Sequence, residues 1–341
     1  MIGARPDMRE CAAMSTPSPA NPSLPRAPVR RQCADAVLMI RPACFGYNPQ
    51  TAASNAFQRA ERPAGAAASA RAEFDALVAA LTGEGVQVCV LEDSPDPPKP
   101  DAVFPNNWVS FHADGTVVLY PMQAPSRRAE RRHDALQAVS EQLGWRVRRV
   151  LDLTEHERQG RFLEGTGSLV LDRRARVAYA CRSARTDAVV LEEWAQALGY
   201  ETVLFDAADR SGVPFYHTNV LMSLGERYAL IGTEAIAAAD RARVLERLRA
   251  GGRELIDIGY GELERFAGNV LELTTQDEAL GECHVLVMSR TARDAFAPDT
   301  FARLAACTDD VLVAPLPTIE RLGGGSARCM LAEVFRPLAR C

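Results

Sequence analysis

The chain has 341 residues, 47% hydrophobic and 24% charged, with a net charge of -5. That balance is globular and suits one large domain or two average ones, and the weak acidity gives no sign of electrostatic nucleic-acid binding. No run of about 18 apolar residues is available to span a membrane. Nine scattered cysteines without a C-x-x-C pair argue against a disulfide framework or a zinc site and suit a reducing cytoplasm.

Residues 1–34 are rich in Pro, Ser, Ala and Arg and lack a signal-peptide core. They predict a flexible arm ahead of a domain at 35–341, with Met14 as an alternative start. The spacing of Phe74, Leu77, Val78 and Leu81 predicts a first amphipathic helix. Cys89, Cys181 and Cys283 adjoin strand-like runs and read as small core residues. Residues 92–101, rich in Asp and Pro, predict an extended loop. Trp108–His112 and Val117–Met122 flank Asp114-Gly115, a hairpin signal. A helix follows over 127–143, with Leu136, Val139 and Leu143 on its apolar face. Its Arg127-Arg128 and Arg131-Arg132 pairs read as a solvated face rather than a phosphate site. Three more hairpins are predicted, at Ser168–Leu171 with Val177–Ala180, Val220–Leu224 with Tyr228–Ile231, and Val270–Thr274 with His284–Met288. Helices are predicted at 186–198, 240–250 and 299–306.

A polar residue precedes the first strand of each hairpin: Asn107, Glu164, His217 and Asn269. Cys329 holds the same place before Met330–Phe335, and the separations are 57, 53, 52 and 60 residues. A long-period repeat of hairpin, helix and strand is a signature of radial or stacked architecture. Five units about an axis would bring these positions together without a local motif. The competing reading is an ordinary α/β protein, in which helices and strands alternate anyway.

Six segments carry a resemblance: Phe104-Pro-Asn-Asn-Trp108, Leu163-Glu-Gly-Thr-Gly167, Ser183-Ala-Arg-Thr186, Tyr216-His-Thr-Asn219, Phe266-Ala-Gly-Asn269 and Gly323-Gly-Gly-Ser-Ala-Arg-Cys329-Met330. In this order the chain resembles the pentein superfamily of arginine deiminases, dimethylarginine hydrolases, succinylarginine dihydrolases and amidinotransferases over about residues 35–341. It looks most similar to the citrulline-utilising hydrolases, often labelled amidinotransferase-like. The resemblance implies an α/β fold, a five-bladed propeller with its active site on the axis, and a small-molecule amino-acid substrate. No metal or organic cofactor is expected, since a thiolate supplies the nucleophile, and no nucleic-acid or membrane partner. A homo-oligomer is compatible with the sequence.

Cys329 follows the Gly323–Gly325 triplet, which lets backbone approach a ligand closely. It matches the family's nucleophile, against the alternative of a buried strand cysteine. His217 matches the acid/base, its ordinary pKa lying near neutrality; the alternative is a loop histidine. The other four histidines, His284 among them, have no matching context. Glu164 would orient the imidazole or accept substrate N–H groups, against a plain turn glutamate. Asn107 and Asn219 stand where arginine deiminases hold aspartates that clamp the guanidinium. An amide suits a neutral ureido group better, because a buried guanidinium wants carboxylates. Asp93, Asp96 or Asp101 swinging inward would restore a cationic clamp, and Asn106 is an alternative to Asn107. Arg185 matches the family position for the substrate α-carboxylate, with Arg182 as the weaker candidate. Asn269 either lines the site or caps a turn. The expected reaction is citrulline to ornithine, ammonia and carbon dioxide through a covalent Cys329 intermediate. Its rivals are arginine deimination, dimethylarginine hydrolysis, amidino transfer, or a scaffold without chemistry.

Overall fold

The computed structural model describes residues 31–336; the expected arm at 1–30 and residues 337–341 lie outside the described residues. Gln32, Cys33 and Ala34, expected at the end of the arm, are instead buried. The Gln32 amide donates to the Leu171 and Leu224 carbonyls at 2.9 and 3.3 Å, and Ala34 bridges Leu273. Buried carbonyls need partners, and these residues supply them, so the folded unit begins ahead of residue 35.

The chain opens with β1 (Ala36–Arg41), α1 (Ala66–Gly83) and β2 (Gln87–Glu92). Then come β3 (Val109–Phe111), β4 (Thr116–Leu119), α2 (Asp134–Leu143) and β5 (Arg149–Asp152). Next are β6 (Val170–Asp172), β7 (Val177–Cys181), α3 (Ala188–Leu198) and β8 (Glu201–Phe205). They are followed by β9 (Met222–Leu224), β10 (Tyr228–Ile231), α4 (Ala238–Arg249) and β11 (Glu254–Asp257). The last are β12 (Leu271–Asp277), β13 (Gly281–Ser289), α5 (Pro298–Ala305), β14 (Asp310–Ala314) and β15 (Ala332–Val334).

One α/β pairing pattern recurs: an antiparallel pair, a helix, and a third strand parallel to the second. The two ends of the described chain complete a further copy, because β15 pairs antiparallel with β1 and β1 parallel with β2. A single parallel bridge, Val334 to Phe111, fuses this copy to β3. The first and last units therefore share one six-stranded sheet, β2-β1-β15-β3-β4-β5, beside three sheets of three strands. Four of the five predicted helices are continuous and overlap their predicted spans. No helix among the described residues is long and apolar enough to cross a membrane.

The predicted helix over 127–143 is broken. Pro125–Arg128 forms one turn, and the helix proper starts at Asp134. Arg127 and Glu130 are buried, as are Val139 and Leu143. Nine residues is about two and a half turns, so a continuous helix would point Arg127 and Leu136 in opposite directions, and Glu130 and Val139 likewise. Breaking the helix lets both sets face inward. Arg127 was thus misread as part of a solvated face, whereas Arg128 is partly exposed. Cys89 and Cys181 are fully buried as expected, whereas Cys283 is half-buried.

Candidate active site

Short helical turns lead into the hairpins: Pro105–Asn107, Gly165–Ser168, Thr218–Val220 and, before β15, Ala327–Met330. The turn at Gly165–Ser168 packs on those at Pro105–Asn107 and Thr218–Val220, and Pro105–Asn107 packs on Ala327–Met330. Two glycines permit this closeness. Gly165 has φ +47°, and a Cβ there would lie 2.2 Å from the Asn106 carbonyl oxygen. A Cβ on Gly167 would lie 2.5 Å from Asn107 Nδ2 and 2.7 Å from His217 Nδ1.

The turns surround a cavity with about 260 Å³ of free space, lined by Asp101, Asn107, Arg127, Arg185, His217 and Cys329 among others. A larger cleft adjoins it through Tyr216.

Behind the cavity wall, His217 Nε2 meets Glu164 Oε2 at 2.9 Å, so Nδ1 is the ring nitrogen left for proton transfer. Glu164 is fully buried, and its other oxygen accepts the Gln123 N–H at 3.0 Å. Burial pushes the Glu164 carboxyl up, but Arg185, the His217 hydrogen bond and Arg127 outweigh it and hold the group well below the ordinary range. Burial pulls the His217 imidazole down to about 4, with Glu164 opposing the shift. The ring is therefore neutral at pH 7.

Cys329 Sγ lies 3.2 Å from Asn269 Nδ2 and 3.6 Å from Asn219 Nδ2. Asn269 Nδ2 also donates to the Asn219 carbonyl at 3.0 Å, which fixes its orientation. Asn269 thus touches the thiol and braces the turn at once. Arg185 sits over the Tyr216 ring at 5.0 Å. It donates to Ser54 Oγ and the Thr51 carbonyl at 2.8 and 2.9 Å, and approaches Glu164 at 3.4 Å.

The alternatives separate. Asn106 does not line the cavity, whereas Asn107 does. Arg182 pairs at the surface with Asp206. Asp93 is held by buried Lys99 at 3.1 Å, and neither it nor Asp96 lines the cavity. Asp101 does line it; Oδ2 accepts from Asn48 and Thr51 while Oδ1 is buried without a partner. The cavity is walled by Thr51, Asn55 and Gln58, with none of residues 92–100 among its lining.

Arg127 is the charged cavity residue that sequence reasoning missed. Its Nη1 donates to Asn107 Oδ1 at 2.7 Å, while Nε and Nη2 bind the Glu130 carboxylate. Glu130 is pushed up to about 7 by burial, with Arg127 opposing. The available signal was the clash of helical faces between Arg127 and Leu136.

The recurring α/β unit, with Cys329 and His217 lining one cavity and Glu164 bonded to His217 behind its wall, defines a pentein-type protein. The profile of the family described as N,N-dimethylarginine dimethylhydrolase, eukaryotic, matches residues 41–336, and the chain belongs to that family. No curated protein sequence matches. Among solved structures, the N-terminal domain of ArgZ is similar; ArgZ is described as an arginine dihydrolase from the ornithine-ammonia cycle in cyanobacteria. The TM-score is 0.68 at 20% identity, covering 89% of this chain and 99% of that domain. The chain spans 41% of full-length ArgZ. Unliganded AgrE aligns at TM-score 0.67 and 20% identity, over 89% of this chain and 40% of that one. A dimethylarginine dimethylaminohydrolase carrying an S-methyl-L-thiocitrulline adduct aligns at TM-score 0.59 and 15% identity, over 88% and 99%.

Proposed function

We propose that the chain is a cysteine hydrolase that cleaves the ureido group of citrulline, giving ornithine, ammonia and carbon dioxide. The observation that carries the substrate choice is the orientation of Asn107. Arginine only donates hydrogen bonds, so the contact with Arg127 must use Asn107 Oδ1. What remains is Nδ2, buried and unpartnered. A donor there suits a ureido oxygen and opposes a guanidinium N–H.

In the proposed reaction the neutral His217 takes the Cys329 thiol proton, and the thiolate attacks the ureido carbon. The carbonyl oxygen gains charge, which Asn107 Nδ2 stabilises. His217 returns the proton to the departing nitrogen as its bond to carbon breaks, leaving a thiocarbamate S-ester on Cys329. His217 then deprotonates water, which attacks the same carbon and breaks its bond to sulfur; the Cys329 thiolate leaves and regains the proton from His217, and the carbamic acid formed loses carbon dioxide. Glu164 holds the ring, and Arg185 exchanges Thr51 and Ser54 for the α-carboxylate. The recurrent pairing unit supports a five-bladed arrangement with this site on its axis. The cysteines among the described residues are free, which supports a cytoplasmic setting.

A second reading, hydrolysis of arginine by way of a citrulline-like intermediate, is favoured by the ArgZ likeness and by the unpartnered Asp101 Oδ1. Assaying citrulline, arginine, N,N-dimethylarginine and succinylarginine in parallel decides between them. The highest kcat/KM is expected for ornithine release from citrulline. Faster citrulline release from arginine would replace this reading with a deiminase, and faster ornithine release from arginine with a dihydrolase.

The pH profile follows from the imidazole. Protonation of His217 removes the base, and its folded pKa of about 4 lies below the ordinary 6.5. The acid limb of kcat/KM should therefore fall nearer pH 4 than 6.5, and a limb at or above 6.5 would contradict it. Stability follows the same sign. Between 6.5 and 4 the unfolded chain takes a proton that the folded site refuses, so stability declines as pH drops through that window.

A further inference from the structure

We propose that Cys33, Glu272 and His284 form a binding site for a transition-metal dication of the zinc type, separate from the catalytic cavity. None of the three lines that cavity.

Their meeting is set by backbone pairing. Ala34 bridges Leu273, and the Thr274 N–H donates to the Ala34 carbonyl at 2.8 Å, which brings Cys33 beside Glu272. In the β12–β13 register Thr274 stands opposite His284. Directly opposed residues share a sheet face, as do residues two apart on one strand. Glu272, Thr274 and His284 therefore project from one face.

The side chains converge accordingly. Cys33 Sγ lies 3.3 Å from Glu272 Oε1, and His284 Nδ1 lies 2.6 Å from the same oxygen. One donor atom from each residue lies within 4.8 Å of the others. Tetrahedral metal bonds of about 2.0–2.3 Å to N, O and S set donors roughly 3.3–3.7 Å apart, within the range these three side chains span. Sulfur, imidazole and carboxylate together select zinc-like ions over magnesium or calcium. Charge balances too: the ion expels the thiol proton to solvent, and thiolate plus carboxylate then neutralise a dication.

The surroundings fit a metal centre. The Glu226 N–H donates to Glu272 Oε2 at 3.2 Å and holds the carboxylate. His284 turns its other nitrogen toward Glu282, 3.9 Å away, the outer carboxylate that metal-bound histidines commonly use. Thr274, on the same face, has a buried hydroxyl without a partner, and a water on the open fourth position would supply one. The His284 side chain is 19% exposed, so an ion has a path inward.

Co2+ alone, titrated into the full chain carrying Cys329→Ser, tests this without interference from the catalytic thiol. About one equivalent should bind with a thiolate-to-cobalt charge-transfer band, and Zn2+ should bleach it. Adding Cys33→Ser should abolish the band. His284→Asn, a change at a partly exposed ring that spares the fold, should weaken binding more than about tenfold. Absence of the band in the Cys329→Ser protein, its survival in Cys33→Ser, or undiminished binding in His284→Asn overturns the proposal.

Discussion

Replacing Cys329 with alanine should lower kcat for ornithine release from citrulline by at least about 10⁴-fold, because loss of a covalent nucleophile has no substitute in the cavity. The other hydroxyl and sulfur groups there are unsuitable. Burial pushes the Tyr216 phenol well above its ordinary range, and its hydroxyl donates to the Gly324 carbonyl at 2.5 Å. The Thr51 hydroxyl is engaged by the Asn48 carbonyl and the Asp101 carboxylate. The fold should survive, since Asn269 keeps its bond to the Asn219 carbonyl and removing one sulfur costs about 1 kcal/mol. Ornithine release, read alongside the thermal midpoint, separates the two effects. A stable variant that keeps turnover within about tenfold of the parent would falsify the nucleophile assignment.

How much of this was legible depended on whether local chemistry and long-range geometry agreed. Asn107, Glu164, His217 and Cys329 stand at the mouths of strands bounded by glycine or turn residues, so pattern alone put them in equivalent places. The short helical turns that carry several of them were not legible, since three or four residues show no period. Arg127 was hidden by a different cause: its neighbours continue an acceptable helical pattern, and only tertiary burial of Glu130 breaks it. The domain start was missed because Cys33 and Ala34 have no apolar run of their own. Their burial comes from β12, some 240 residues away by the Cys33–Glu272 contact. His284 opened a predicted strand, but β13 extends back past it to Gly281, further than its apolar residues suggest.

Asn107→Asp should cut kcat/KM for citrulline by about 10²–10³-fold, the usual loss when one donor to a developing oxyanion is removed. The Arg127 contact to Oδ1 survives as a stronger, charge-assisted bond. Only the Nδ2 position changes, from donor to acceptor, next to a ureido oxygen that is itself an acceptor. The same change offers a carboxylate oxygen to a guanidinium, so the ratio of arginine to citrulline kcat/KM should rise. Asn107→Ala makes the comparison strict: it removes the donor without adding charge, so it should lose citrulline turnover and gain nothing toward arginine. Altering Arg127 instead would leave Glu130 and Asp101 buried without their cation and confuse stability with specificity. Equal citrulline turnover in the parent and both variants would mean that Asn107 merely holds a structural arginine by a hydrogen bond. The ureido preference would then have to arise at Asn219 or Asn269, whose amides meet the sulfur directly.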